Sequence, residues 1–518
     1  MASTTTWRSS TCAWAVSTPD AVMPPQEHVA SCCWNHFCIE VRFWLVSAGA
    51  GSILFPMTQQ EIYERARKSR DARFDGQFYI GVRTTGIYCR PICPANTPKS
   101  ENVTFFPTAA AAGEAGYRPC LRCRPECAPG TPAWGGTSAT VRRGLKLIAS
   151  GALDDSNVED LATRLGVTSR HLRRLFTRHL GASPLAVAHT QRLHFAKQLI
   201  DQTRLPMQDI AVAAGYGSVR RFNDSFVKTY GRPPRELRRA GDGVDDVDPR
   251  TALTVRLPCR TPFDGKALLA FFAARATPGV ESVNGDRYQR TVRIDGQPGI
   301  IELRLDAGSI LLTMHGIGTP NVFPVVQRCR EMLDLDAPIQ DIANVLSRDE
   351  VLRRLLHTNQ GVRVPGAWDG FELTVRAILG QQISVKAART IAGRIAKAYG
   401  EPAGDHGFSG LTHLFPVPER LARARFNNLG ITGSRAATLR SVARAALDGV
   451  LTFDASQDPA AFRESLIAIP GIGEWTAQYV AMRALKHPDA FPAADLGLLR
   501  AFDGPGRQRL QPAQLEEI

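Results

Sequence analysis

Long apolar runs are missing from this chain: none reaches the ~18 residues of a spanning helix, so no membrane partner is expected. Cysteine is scarce over most of the length. Of eleven, only Cys259 and Cys329 lie beyond residue 127. A secreted disulfide framework needs cysteines spread through the fold, so that class is excluded and a reducing, cytoplasmic setting is favoured. Acidic residues are in deficit, 49 against 63 Lys and Arg, which leaves a formal charge of +14. Such an excess favours a polyanionic partner, although charge alone does not separate DNA from RNA or a membrane surface. The arginines crowd into 142–239, in runs such as VRRG, RHLRRLFTRH and VRRF.

What is present supports several globular units. Apolar residues make up 44% of 518, enough for buried cores, and the length suggests three or four domains. The first 56 residues show no period, and IEVRFWLVSAGAGSILF lies too far in for an ordinary signal peptide. MTQQEIYERARKSRDARFDG reads as an amphipathic start. Met57 is therefore expected to be the true initiator, with 1–56 a non-native or disordered extension; a native N-terminal peptide from upstream of Met57 would refute this. Turn-forming or acidic breaks at 128–139 and 240–250 read as linkers. They delimit units at 57–127, 140–239 and from 251 onward. TALTVRL, RTVRI, IIELRL and SILLTM alternate as strands over 251–345, and the period turns helical over 346–518.

Five cysteines crowd between 89 and 127. Cys89 and Cys93 form a C-x3-C pair, and Cys120 and Cys123 a C-x2-C pair. Two such pairs offer four thiolates to one tetrahedral zinc, as a structural or a reactive site. Cys127 falls outside the pattern and reads as an ordinary thiol. In 140–239 one pattern occurs twice. Ala162 and Ala211, Gly166 and Gly215, and Ser169 and Ser218 each stand 49 residues apart. The small residue admits a second helix, the glycine makes the turn, and the serine is expected to cap the following helix. Two helix-turn-helix units result, with recognition helices near 169–178 and 218–228. Arg170, His171, Arg173, Arg174, Arg220, Arg221 and Asn223 are candidates for the major groove; the bland alternative is a helical bundle with a charged face. Near the end, IPGIGEWTAQYVAMR brackets a turn with Gly471 and Gly473, places Trp475 and Tyr479 one helical turn apart, and is followed by Asp495. The turn could bring backbone amides up to a DNA phosphate, or could be an ordinary helix corner.

Family resemblances sharpen these readings. VRTTGIYCRPICPAN, ENVTFF and AGYRPCLRCRPE resemble the zinc domain of the Ada alkylation-response proteins. That resemblance implies a small α/β domain in which Cys89 is both zinc ligand and acceptor of a methyl group from methylphosphotriesters. A zinc-held thiolate suits that role. Arg90, Arg118, Arg122 and Arg124 are candidate phosphate contacts. IAVAAGYGSVRRFNDSFVKTYGRPPRELR resembles the AraC-type DNA-binding domain, an all-α module, and implies promoter DNA and RNA polymerase as partners. Ada regulators often add a methyltransferase with a PCHR site. Here LPCRTP around Cys259 lacks the histidine, and Cys259 reads as structural.

From 251 the chain resembles AlkA-type 3-methyladenine DNA glycosylases of the helix-hairpin-helix superfamily. This implies an α+β subdomain followed by an all-α catalytic domain. It also implies double-stranded alkylated DNA as substrate, with the target nucleotide taken out of the stack. By position in that family, Gln382 would fill the gap left behind and Trp475 and Tyr479 would line the base pocket. Asp495 would steady an oxocarbenium-like sugar or deprotonate the attacking water. Asp503 is a weaker candidate. Trp475 stands where bifunctional members carry a lyase lysine, so hydrolysis without strand cleavage is expected. No cysteine follows Cys329, so no iron–sulfur cluster is expected. The resemblance also implies a further helix with another aromatic beyond Ile518, so the catalytic domain is expected to be shortened. The alternative reading is a zinc-dependent regulator carrying a catalytically inactive glycosylase remnant.

Overall fold

The computed structural model describes residues 58–129, 139–238, 252–502 and 511–512, apart from Asp155, Ala307, Ala455 and Ser456. The 1–56 extension, the start at Met57, most of both linkers and Asp503 lie outside the described residues. Among the described residues no helix is long and apolar enough to cross a membrane.

The cysteine-rich unit begins with the helix Gln59–Ser69, whose start is fixed by a capping box between Thr58 and Glu61. Strands β1 (Tyr79–Val82), β2 (Ile87–Cys89), β3 (Val103–Phe106) and β4 (Arg118–Pro119) follow in the order β3-β1-β2-β4. The helix Ala109–Glu114 buries Ala109, Ala110, Ala111 and Ala112, and such small side chains allow a close approach to its neighbours. Its cap, Thr108, also donates to the carbonyl of Leu180 at 2.8 Å, which ties it to the next unit.

That unit is all helix. Val158–Arg164 and Ser169–Leu180 form one helix-turn-helix, Met207–Ala213 and Val219–Tyr230 the other, and the long helix Pro184–Gln202 joins them. Each is amphipathic at a 3.6 period: Leu172, Phe176 and Leu180 are buried in the first, Phe222, Phe226 and Tyr230 in the second.

Five antiparallel strands follow: β5 (Ala252–Pro258), β6 (Glu281–Asn284), β7 (Arg287–Ile294), β8 (Gln297–Asp306) and β9 (Ser309–His315), in the order β5-β9-β8-β7-β6. The four segments expected as strands are β5, β7, β8 and β9; β6 is short and carried too little alternation to be read. An open edge at β5 would expose unpaired backbone groups. The joining helix covers it. Gln198 Nε2 donates to the Arg256 carbonyl at 2.8 Å, and the Arg256 N–H donates to Gln202 Oε1 at 2.9 Å. Two glutamine side chains thus stand in for a neighbouring strand. One apolar core runs through this junction, from Leu199 and Phe226 to Val255 and Leu312, with the Phe195 and Phe323 ring centroids 4.7 Å apart.

The last unit packs Gly370–Gly380, Val385–Tyr399, Gly433–Leu447, Pro459–Ile467 and Glu474–Arg483 around Ile378, Leu439, Phe462 and Val480. It meets the five-stranded sheet through buried charges. Arg290 pairs with Glu372 at 2.7 Å and Arg376 with Glu281 at 2.8 Å. Breaking one partner of such a pair would leave an uncompensated charge, so the subdomains are locked in register.

Candidate metal centre, DNA-reading helices and base pocket

Strands β2 and β4 run parallel with Tyr88 opposite Pro119, so the sheet register delivers Cys89 beside Cys120. Cys93 and Cys123 come round on short turns, and the four sulfurs lie within 4.8 Å of one another. The backbone N–H groups of Arg90 and Arg122 point at Cys123 Sγ and Cys120 Sγ at 3.3 and 3.4 Å and steady charge on sulfur. The thiols compete for protons: Cys123 holds Cys120 far down, while Cys120 pushes Cys89 far up. Four converging soft donors of this kind fit a dication. The cofactor is zinc, and these four sulfurs are the set that would hold it. Cys127 stands apart, and burial pushes its thiol up to about 11. Cys259 is buried as well and donates to the Gly308 carbonyl at 3.1 Å.

The arginines around this centre divide. Arg118 and Arg122 are exposed and line a cleft of about 410 Å³ into which Cys89 opens. Arg90 also borders that cleft, but it and Arg124 are tied to carboxylates. Arg90 Nε bonds Asp75 at 2.7 Å, and Arg124 pairs with Asp201 at 2.7 Å. Each is held inward because a buried carboxylate needs a partner.

In the helix-turn-helix pair, Gly166 and Gly215 sit at φ +71° and +75°, the left-handed turn that both repeats require. Ser218 caps its helix, accepting from the Arg221 N–H at 3.2 Å. Ser169 does not. In the first unit Thr168 accepts from the His171 N–H at 3.3 Å, so the cap falls one residue earlier than the repeat implied. Arg170, Arg173, Arg174, Arg220, Arg221 and Asn223 are all exposed, whereas His171 is half-buried. Arg173 bonds Glu159 at 3.1 Å, a surface pair that a phosphate could displace at little cost.

The glycine turn separates its two glycines. Gly471 sits at φ +92°, and a Cβ there would lie 2.2 Å from Thr438 Oγ1. Gly473 has an ordinary φ of −100° and open space around it. The fold therefore requires Gly471, whereas Gly473 leaves the approach to the following helix amides clear of a Cβ. Gly473 is the N-cap of Glu474–Arg483 and offers no side-chain cap, so the first amides of that helix face outward. Gln381, rather than Gln382, ties the GQQIS turn down, with Nε2 donating to the Gly471 carbonyl and to Thr476 Oγ1 at 3.1 Å each. Gln382 is exposed at φ +59°, lifted to the tip of the turn.

Trp475 and Tyr479 stack with centroids 5.1 Å apart and 13° between planes. They border a cavity of about 230 Å³ together with Arg275, Arg376, Arg389 and Arg483. Asp495 is buried, receives the Trp475 Nε1–H at 2.9 Å through Oδ2, and accepts the Gly497 and Leu498 N–H groups through Oδ1. It thus caps the helix Leu496–Phe502 and stands behind the indole rather than in the cavity wall. The four guanidinium groups had no local signal in the sequence. Arg376 is committed to carboxylates, Arg389 donates to the Ala276 carbonyl at 2.7 Å, and Arg483 donates to the Pro365 carbonyl at 2.8 Å. Burial would raise the Tyr479 phenol, but Arg483 and Arg275 outweigh it and hold the phenol below its usual range. These cations offset the attraction that two electron-rich rings were expected to offer a cationic base.

Comparison with known proteins agrees with this arrangement. Four family models match: "Metal binding domain of Ada" over 63–126, "Helix-turn-helix domain" over 161–240, "AlkA N-terminal domain" over 254–369 and "HhH-GPD superfamily base excision DNA repair protein" over 375–507. The Escherichia coli protein named "DNA-3-methyladenine glycosylase 2" is 34% identical over 49% of this chain and 87% of its own. The Bacillus subtilis "Bifunctional transcriptional activator/DNA repair enzyme AdaA" is 31% identical over 33% of this chain and 79% of its own. The Mycobacterium tuberculosis protein named "Probable bifunctional transcriptional activator/DNA repair enzyme AlkA" is 43% identical over 84% of this chain and 88% of its own. With a zinc-type cysteine centre, tandem helix-turn-helix units and a helix-hairpin-helix glycosylase fold on one polypeptide, the chain belongs to the family of bifunctional transcriptional activator/DNA repair enzymes of the AlkA type.

Proposed function

We propose that this protein senses and repairs alkylated DNA within the cytoplasm. Its repair half is a monofunctional glycosylase that removes 3-methyladenine and similar bases. The observation that carries this is the buried Asp495 carboxylate, held by Trp475, which itself stacks on Tyr479 at the cavity. The extruded base enters between rings and guanidinium groups while Gln382 fills the vacated stack. The bond from sugar C1′ to the base nitrogen breaks, and its electron pair leaves with the base. An alkylated, cationic base departs neutral, so no strong general acid is needed. Asp495 steadies the sugar cation, and water then forms the new C1′–O bond and gives up a proton. Trp475 supplies no amine, so no Schiff base forms and the strand is not cut.

The amino-terminal half takes one methyl group per chain. Cys89 sulfur forms a bond to the methyl carbon of a methylphosphotriester, the carbon–oxygen bond breaks, and a phosphodiester anion leaves. Zinc, when bound, keeps the sulfur deprotonated. The carbon–sulfur bond of the resulting neutral thioether is stable, so the transfer occurs once. Losing one negative charge at the centre lowers repulsion from phosphate. The two recognition helices then hold promoter DNA, and RNA polymerase is the partner of the bound activator. The units doing this are 57–127, 140–239, 251–345 and 346–518.

Release of labelled 3-methyladenine tests the repair half, with Asp495→Asn as control. Asn keeps an oxygen for the Gly497 and Leu498 amides but sets its NH2 against the Trp475 Nε1–H, so a matching circular dichroism spectrum is required beside the expected loss of about 10²-fold or more in rate. Equal rates would overturn the assignment. A second reading, a regulator whose glycosylase half is inert, is favoured by one observation: both Asp495 oxygens are already engaged and neither lines the cavity. Absence of release from the intact protein would select it.

A further inference from the structure

Two zinc-ligand neighbours grip one face of the helix that joins the DNA-reading units. Tyr88, which precedes Cys89, is buried, and its hydroxyl is hydrogen-bonded to His194 Nε2 at 2.7 Å. Arg124, which follows Cys123, pairs with Asp201 at 2.7 Å. Asp201 also bonds Lys197 at 2.6 Å, and Lys197 lies 3.6 Å from Glu126, two residues beyond Arg124. The Lys197, Asp201 and Glu126 side chains are 2, 1 and 3% exposed, so these charges lie in a low-dielectric interior where pairing geometry matters most. His194, Lys197 and Asp201 fall at i, i+3 and i+7, a single stripe of Pro184–Gln202. Arg124 itself is held at φ +52°, a left-handed backbone unfavourable for an arginine, which its partners must sustain. The ends of the same helix lead directly into both helix-turn-helix units.

We propose that the His194–Lys197–Asp201 face is a relay: it positions the segments carrying Cys89 and Cys123, and it passes a change at Cys89 to both recognition helices. The inference rests on the methyl-acceptor reading of Cys89. Methylation turns an anionic ligand into a neutral thioether, and the adjoining Tyr88 and Arg124 are the residues through which a shift of that strand and turn reaches the helix. His194, Lys197 and Asp201 are positioning residues, since none touches the reacting methyl.

The test uses the full, zinc-loaded chain and two variants. Lys197→Met with Asp201→Leu removes both members of a pair and leaves Arg124 near Glu126 at 3.6 Å, so no lone buried charge remains. Tyr88→Phe removes only the hydroxyl and keeps the ring, a milder change should the double variant fail to fold. Each protein is incubated with DNA bearing methylphosphotriesters, and the Cys89 peptide is weighed. The cobalt-substituted spectrum is recorded, and Kd for the duplex immediately upstream of this gene is measured before and after methylation. The relay requires that the wild type bind more tightly once methylated. The folded variants should take the methyl and keep a tetrahedral thiolate spectrum, while their gain in affinity falls below the wild type's, to the salt-sensitive part that the lost negative charge supplies alone. Variants that keep the full wild-type gain overturn the relay. A wild type that gains the methyl but no affinity also overturns it. If wild-type Cys89 never gains a methyl, the methyl-acceptor reading fails first.

Discussion

Substituting each glycine of the hairpin by alanine separates a residue the fold needs from one that DNA would need. At Gly471 the new Cβ would lie 2.2 Å from Thr438 Oγ1. Ordinary contact is about 3.4 Å, so something must move by about 1.2 Å. Thr438 is buried, and its hydroxyl is fixed on the Ser434 and Pro470 carbonyls at 3.2 and 2.8 Å, so it does not swing away freely. The left-handed backbone adds about 1–2 kcal/mol, overpacking about 1–3 and a lost hydrogen bond about 1. Gly471→Ala should therefore destabilise the carboxyl-terminal unit by about 3–6 kcal/mol. Gly473→Ala meets open space at an ordinary φ and should cost under about 1 kcal/mol as an N-cap change. Its methyl group would instead stand before the outward amides of Glu474–Arg483. Hydrogen exchange of that helix, read by mass spectrometry, should quicken about 10²–10⁴-fold in Gly471→Ala and little in Gly473→Ala. Fluorescence anisotropy with an undamaged duplex should show the opposite emphasis: Gly473→Ala folded yet weaker in binding. Wild-type protection in Gly471→Ala, or greater loss in Gly473→Ala, would refute the division of roles.

Two further outcomes follow from the sensor half. Burial first, and then His189, depresses His194 from 6.5 to about 4, so the folded ring stays neutral where the unfolded one takes a proton. The stability this provides is complete above pH 6.5 and is lost as pH falls toward 4; urea midpoints of His194→Gln should vary less than wild type across that window, and parallel curves would contradict it. Zinc removal by a strong chelator should free one ion per chain and expose 87–123 to protease, because Cys89 and Cys120 tie β2 to β4. The helix Gly370–Gly380 should stay protected, and an unchanged digestion pattern would count against a structural contribution from the metal.

The sequence alone was enough to determine whatever depends on neighbours within a few residues. Two close cysteine pairs specify one soft tetrahedral site wherever the chain folds. The repeated small–glycine–serine pattern specifies two helix-turn-helix units, and alternation specifies β5, β7, β8 and β9. Even there, Thr168 took the cap assigned to Ser169, since either hydroxyl can reach a free amide and local geometry selects one. Tertiary structure decided which of several identical side chains serves which end. Arg118 and Arg122 face solvent while Arg90 and Arg124 turn inward, because Asp75 and Asp201 arrive from distant segments. Gln381 and Gln382 are indistinguishable by type, and only the packed Gly471 carbonyl sorts tether from tip. The guanidinium groups around Tyr479 were invisible for the same reason, and so were Arg124 and Glu126 as partners of the local Lys197–Asp201 pair. A charge buried without its partner is prohibitive, and partners far apart in sequence meet only once the chain has folded.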